Sequence, residues 1–79
     1  MKNWFQWKNL DDGGEIIGYV TEMNPTPHML FKGIAVKDTR NIITTHHPFC
    51  PHEINIGIKP NFNREIRYIS EDEAWLLMI

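Results

Sequence analysis

The sequence predicts a mostly β fold: a small single-domain antiparallel barrel or bent meander of about five strands, with a short C-terminal helix. Runs rich in β-branched and aromatic residues alternate with turn residues at intervals of about 8–12 residues. In residues 53–59 isoleucine alternates with polar residues or glycine, the pattern of a half-buried antiparallel strand. A serine and three acids begin residues 70–79, as at a helix N-terminus. The whole chain, residues 1–79, has the length of one domain.

The N-terminal half of the chain predicts three strands. A hairpin is predicted for residues 3–10 and 15–23, because the Asp-Asp-Gly-Gly sequence between them is a strong turn signal. A short helix over residues 3–10 is the alternative. Two prolines in residues 24–28 predict a loop, since proline donates no backbone hydrogen bond. Residues 29–37 predict the next strand, in which Gly33 marks a bulge or a tight bend.

The C-terminal half continues the alternation of strands and turns. Strands are predicted over residues 42–45, 53–59 and 64–69. Ser70 and Glu73 have the spacing of a capping box, so a short helix is predicted over residues 71–79, with a last strand as the alternative. Barrels of the SH3-like and OB-like kinds have about this size, which is a comparison of architecture alone.

Composition and charge exclude several classes of protein. A hydrophobic fraction of 42% is typical of globular chains, so disorder is not expected. A net charge of −2 gives no general attraction to nucleic acids or anionic lipids. The charge is uneven, because residues 23–70 carry six basic and three acidic side chains between two acidic ends. A core this small leaves little room for an enclosed pocket of about 300–1,000 Å³, so we expect the protein not to be an enzyme.

Cysteine usage and hydropathy indicate the compartment. The single cysteine excludes an internal disulfide, which suits a reducing environment. The N-terminal residues lack the apolar segment of a signal peptide, and no apolar run reaches the roughly eighteen residues of a membrane span. We therefore expect a cytoplasmic protein that does not associate with membranes.

The segment from His46 to His52 concentrates potential metal ligands. Nitrogen and sulfur ligands suit zinc, and a protein with a small core gains stability from a bound metal ion. The set that fits best is His47, Cys50 and His52, with His28 from a distant loop as the fourth ligand. Structural zinc sites usually draw pairs of ligands from two separate segments. The alternative is therefore a proline-stiffened surface loop without a cofactor, in which Cys50 is a small buried side chain.

Aromatic and arginine side chains are the candidate anchors for a partner, because these residue types dominate the energetics of protein interfaces. Phe62 lies at a turn between two asparagines, where an exposed ring is costly unless a partner covers it or it folds over the mouth of the barrel. The predicted partner-binding residues are Phe62, Arg64, Trp4, Trp7, Arg40 and Arg67. The aromatic residues predicted to be structural, because they lie within apolar runs, are Tyr19, Phe31, Tyr68 and Trp75.

These observations favour a small non-enzymatic protein-binding module that acts as an adaptor or inhibitor by occluding a surface of a larger partner protein. Small stand-alone proteins of this kind are often encoded by phages or mobile elements, an association that the residues themselves do not show. We expect a monomer, or a homodimer formed through residues 4–7. Two alternatives are a zinc-stabilised module that uses residues 46–52, and a barrel that binds single-stranded nucleic acid through rings and basic side chains.

Overall fold

The computed structural model describes residues 2–40, 49–58 and 63–79. Within these ranges five strands precede one helix: β1 (Asn3–Asn9), β2 (Glu15–Met23), β3 (Met29–Asp38), β4 (His52–Gly57), β5 (Arg64–Ile69) and α1 (Glu71–Met78). The mostly β class with a short C-terminal helix is therefore confirmed. The first segment is a strand, so the helical alternative for it is wrong. The predicted strand over residues 42–45 lies outside the described residues.

The described strands belong to one antiparallel sheet with the order β4-β3-β2-β1-β5. The first three strands form a meander, and β5 adds to the free side of β1. Trp7 of β1 is thus opposite Ile16 of β2 on one side and Ile66 of β5 on the other. β4 and β5 form the edges and, among the described residues, do not pair with each other. The described strands therefore do not close into a barrel.

Two irregularities between β2 and β3 bend the sheet. The register shifts beside Gly18 and again beyond Val20, which is opposite Gly33. A Cβ atom on Gly33 would lie 2.5 Å from the Tyr19 carbonyl oxygen, so glycine permits a backbone approach that a side chain would prevent. Gly33 therefore marks a bulge, as predicted.

The bend brings side chains from distant strands together on one side of the sheet, which we call the first face. The ring centroids of Phe31 in β3 and Tyr68 in β5 are 6.4 Å apart, although two strands lie between them. In a flat sheet, three strand spacings of about 4.8 Å would separate them by about 14 Å. The Phe5 ring lies 4.7 Å from that of Phe31. The buried residues of this face are Phe5, Ile16, Phe31, Ala35, Ile54 and Ile56.

Helix α1 covers the opposite side of the sheet, the second face. Ala74 and Met78 of the helix pack with Trp4 and Ile17 in a second buried cluster. Trp4 is only 5% exposed, and its ring contacts that of Tyr19 edge-on at 5.3 Å. Trp4, a predicted partner anchor, therefore offers little surface to a partner in this structure. Because β1 is an interior strand, it buries side chains on both faces, and Trp4 is a core residue.

The ends of α1 are held by side-chain hydrogen bonds. The Ser70 hydroxyl accepts a hydrogen bond from the backbone N–H of Glu73 at 3.1 Å, so the predicted N-cap is confirmed. At the other end, the Lys37 ammonium group donates to the Leu77 carbonyl oxygen at 2.8 Å.

Trp75, predicted to be structural, lies on the outside of the helix and is 59% exposed. No helix in the described part of the chain is long and apolar enough to cross a lipid bilayer.

A series of polar side chains crosses the second face and joins four strands to the helix. Lys37 and Gln6 each donate to the Glu15 carboxylate at 2.9 Å. Arg67 donates to the Gln6 side-chain oxygen at 2.7 Å and to the Glu73 carboxylate at 2.6 Å. Arg67, predicted to bind a partner, therefore holds α1 against the sheet in this structure.

Candidate functional site

Three of the predicted partner-binding residues meet at one end of the first face. Trp7 comes from β1, Arg40 follows the end of β3, and Arg64 begins β5. The guanidinium carbon of Arg40 lies 6.0 Å from the centre of the Trp7 ring, and that of Arg64 lies 5.5 Å from it. A cation over an aromatic face is stabilised by about 0.5–2 kcal/mol, depending on its solvation. We call Trp7, Arg40 and Arg64 the arginine–tryptophan cluster.

Strand register explains why these residues meet. Trp7 is opposite Ile16 of β2, and Ile16 is opposite Asp38, so the end of β3 lies two strands away from Trp7. Arg64 is opposite Asn9 of β1, and Asn9 shares a face with Trp7 because side chains alternate along a strand. Trp7 itself is half-buried and packs against the core of the first face, which fixes its ring.

Asp38 positions Arg40. Its carboxylate, 3% exposed, accepts hydrogen bonds from Arg40 Nε at 2.9 Å and from a terminal guanidinium nitrogen at 2.7 Å, a bidentate pair. The backbone N–H of Arg40 donates to the same carboxylate at 3.1 Å. Burial raises the pKa of Asp38, but hydrogen bonds from Arg40, its positive charge and a hydrogen bond from His52 outweigh burial. That pKa is therefore lowered from its ordinary value.

His52 supports Asp38 from the start of β4. Its Nε2 lies 2.9 Å from an Asp38 carboxylate oxygen, and its Nδ1 lies 3.0 Å from the Cys50 carbonyl oxygen. Both neighbours are acceptors, so the ring makes both hydrogen bonds only when each nitrogen carries a proton. This arrangement joins the segment before β4 to the end of β3.

The predicted zinc ligands are not brought together among the described residues. His28 precedes β3, whereas His52 is opposite Ala35 near the other end of that strand, so roughly 20 Å separates them at about 3.3 Å per residue. Both ring nitrogens of His52 have partners, and Cys50 is exposed rather than buried. His47 lies outside the described residues. In the described part of the chain, no three His, Cys, Asp or Glu side chains lie close enough to hold a metal ion.

The arginine–tryptophan cluster carries a positive charge without a full counter-charge. Asp38 neutralises Arg40. The guanidinium of Arg64 donates to the carbonyl oxygen of Asn63 at 3.2 Å and has no carboxylate partner among the described residues. A planar guanidinium binds carboxylate and phosphate groups through two parallel hydrogen bonds. The cluster therefore suits an anionic group that lies next to an apolar one.

The other three predicted anchors are Phe62, Trp4 and Arg67. Phe62 is outside the described residues, while Trp4 and Arg67 belong to the second face. Asp38 was not among the predicted site residues, although its place in the sequence carries a signal. Aspartate at a turn commonly bonds the backbone two residues later, and here that residue is Arg40.

Stability is expected to fall as the pH drops below about 4. Burial raises the pKa of Glu15, but hydrogen bonds from Lys37 and Gln6 and the charges of Lys37 and Lys8 lower it further than burial raises it. The pKa values of Glu15 and Asp38 are lower in the folded than in the unfolded state. The two ionised carboxylates therefore contribute fully to the stability of the fold at pH values above their pKa values in the unfolded state. This contribution is lost as the pH falls through their pKa values in the folded state. Urea unfolding from neutral to acid pH measures this, and a midpoint that stays constant between about pH 5 and 2 would contradict it.

Comparison of the chain with protein-family models, with curated proteins and with solved structures found no significant match.

Proposed function

We propose that this chain is a non-enzymatic protein-binding module whose anchor is the arginine–tryptophan cluster. It acts as an adaptor or inhibitor by covering an acidic patch on the surface of a larger protein. The observation that carries this proposal is that Arg40 and Arg64 both lie against the Trp7 indole ring. No carboxylate among the described residues neutralises the charge of Arg64.

The cluster is well suited to be an anchor because it is ordered before a partner arrives. Trp7 packs against the core, and the Arg40 guanidinium is held by the buried Asp38 carboxylate. Binding therefore costs less side-chain entropy than it would with freely rotating groups. Tryptophan and arginine are also the residue types that most often contribute more than about 2 kcal/mol to an interface.

The SH3-like or OB-like barrel also remains a proposal. In its support, the Phe31 and Tyr68 rings are in contact across the first face although their strands are not neighbours. In a closed barrel the two edge strands of this sheet, β4 and β5, would have to meet.

Binding of single-stranded nucleic acid is the second candidate function. It is favoured by the same pair of arginines on a tryptophan, since rings stack on bases while guanidinium groups contact phosphates. The net charge of −2 makes it the weaker candidate, because nucleic-acid binding depends on neutralising many phosphates.

Substitution of Arg64 tests the proposal. Calorimetric titration with poly-L-glutamate, as a probe for an acidic protein surface, is carried out beside titration with an oligothymidylate single strand. Arg64→Ala is expected to weaken poly-L-glutamate binding at least about fivefold, which corresponds to about 1 kcal/mol. Lys8→Ala is the matched control. It removes the same charge from an exposed residue of β1 whose side chain lies on the second face, and it is expected to change affinity less than about twofold.

Three outcomes are informative. Equal losses in the Arg64→Ala and Lys8→Ala variants would mean that net charge alone governs binding and would reject the cluster as an anchor. Tighter, Arg64-dependent binding of the oligothymidylate, weakening steeply with salt, would replace protein binding by the nucleic-acid function. Binding of neither probe by the wild-type protein would reject both.

A further inference from the structure

The outer side of α1 carries large apolar side chains that nothing in the described structure covers. Trp75 is 59% exposed, Leu76 is 68% exposed and Ile79, just beyond the helix, is 94% exposed. The inner side of the same helix already supplies Ala74 and Met78 to the core. These exposed side chains therefore contribute little to holding the helix on the sheet, and their exposure calls for another explanation.

The exposed residues form one continuous surface. Residues three and four apart lie on the same side of a helix, so Ile79 follows both Leu76 and Trp75 on the outer side. Glu71 and Asp72 precede the same two residues by three to five positions, and both are exposed. Neither acid makes an ion pair with any described residue. The outer side thus consists of an acidic first turn followed by an apolar second turn.

The helix presents this surface in a fixed position. Three polar contacts hold the helix in place. They are the Ser70 cap, the ion pair of Arg67 with Glu73, and the hydrogen bond from Lys37 to the Leu77 carbonyl oxygen. None of these contacts uses the outer side chains. A partner can therefore cover the outer side without breaking any contact that holds α1, and little backbone ordering is needed on binding.

We propose that the outer side of α1 is a second docking surface, which fits an apolar groove bordered by lysine or arginine on another protein. The apolar turn would fill the groove, as in helix-in-groove recognition, and the unpaired carboxylates of Glu71 and Asp72 would meet the basic border. This inference does not rest on the proposed function, because the arginine–tryptophan cluster lies on the first face and α1 lies on the second. Both surfaces can be occupied at once, which would make the protein an adaptor rather than a simple inhibitor.

Capture combined with crosslinking tests the second surface. The immobilised protein is incubated with a lysate of the organism that encodes it, and a carbodiimide then joins carboxylates to lysines in direct contact. The double variant Trp75→Ser, Leu76→Ser is expected to reduce capture at least about tenfold. Met23→Ser, which removes an apolar side chain that is 49% exposed elsewhere, is the matched control and is expected to leave capture unchanged. Circular dichroism checks that each variant is folded.

The proposal is supported only if mass spectrometry finds crosslinks from Glu71 or Asp72 to lysines of the protein whose capture depends on Trp75 and Leu76. Crosslinks confined to lysines of a second copy of this chain would overturn it in favour of self-association. Capture that is unaffected by the double variant would overturn it as well, and so would a failure to capture any protein. The Arg64→Ala variant separates the two proposals, because it is expected to leave this capture intact while it weakens binding to poly-L-glutamate.

Discussion

Replacement of Phe5 by alanine is expected to destabilise the protein by about 3–5 kcal/mol, because it leaves a cavity at the centre of the first face. Phe5 is fully buried and its ring lies 4.7 Å from that of Phe31. A domain of this length has a free energy of unfolding of only about 4–12 kcal/mol. Urea unfolding followed by circular dichroism measures the loss, which is expected to lower the midpoint of the transition.

The matched control is Trp75→Ala, which removes a larger ring from the outer side of α1. Because Trp75 is 59% exposed, we expect the free energy of unfolding to change by about 0.5 kcal/mol or less. Similar losses for the two variants, or a loss below about 1 kcal/mol for Phe5→Ala, would contradict the placement of Phe5 at the centre of the first-face core.

The substitution Asp38→Asn is expected to lower the free energy of unfolding by about 2 kcal/mol at neutral pH. The amide keeps the volume of the side chain but loses the charge that Arg40 and His52 contact. Those two side chains remain partly exposed, so water replaces some of the lost interaction and the effect stays below that of a fully buried ion pair.

Acid pH provides a check within the same experiment. Since protonated Asp38 resembles asparagine, the difference between wild type and Asp38→Asn is expected to shrink as pH falls through the lowered pKa of Asp38. Asp72→Asn, which alters an exposed carboxylate on α1, is expected to have little effect at any pH. A constant difference between wild type and Asp38→Asn down to about pH 2 would show that the charge of Asp38 is not what stabilises this end of the sheet.

The strands and the helix were predictable because local sequence determines them. Alternating isoleucines, turn residues and the Ser70 cap each act within a few residues, and the observed elements follow those signals. Strand order was not predictable, because the pairing of β1 with β5 joins residues more than fifty positions apart. That pairing makes β1 an interior strand, which is why Trp4 became a core residue while Trp7, three positions later and on the other face, remained half-buried.

The candidate site could be predicted as a set of residue types but not as an arrangement. Arg40, Arg64 and Trp7 were candidates because of their chemistry, and only the strand register brings them together. His52 was a candidate for a different reason. Its spacing from Cys50 suggested a metal ligand, yet its ring lies between the Cys50 carbonyl oxygen and the Asp38 carboxylate. Such contacts depend on where β4 starts relative to β3, which spacing does not reveal.

The role of the arginine–tryptophan cluster in partner binding is tested most directly by nuclear magnetic resonance. Titration of the ¹⁵N-labelled protein with poly-L-glutamate follows the indole N–H signals of its three tryptophans separately: Trp4 in the core, Trp7 in the cluster and Trp75 on the helix. We predict that the Trp7 indole signal and the Arg64 Nε signal shift together, while those of Trp4 and Trp75 stay in place. Shifts at Trp75 without shifts at Trp7, or no shift at Trp7 when the probe is bound, would contradict the assignment of the cluster as the binding site.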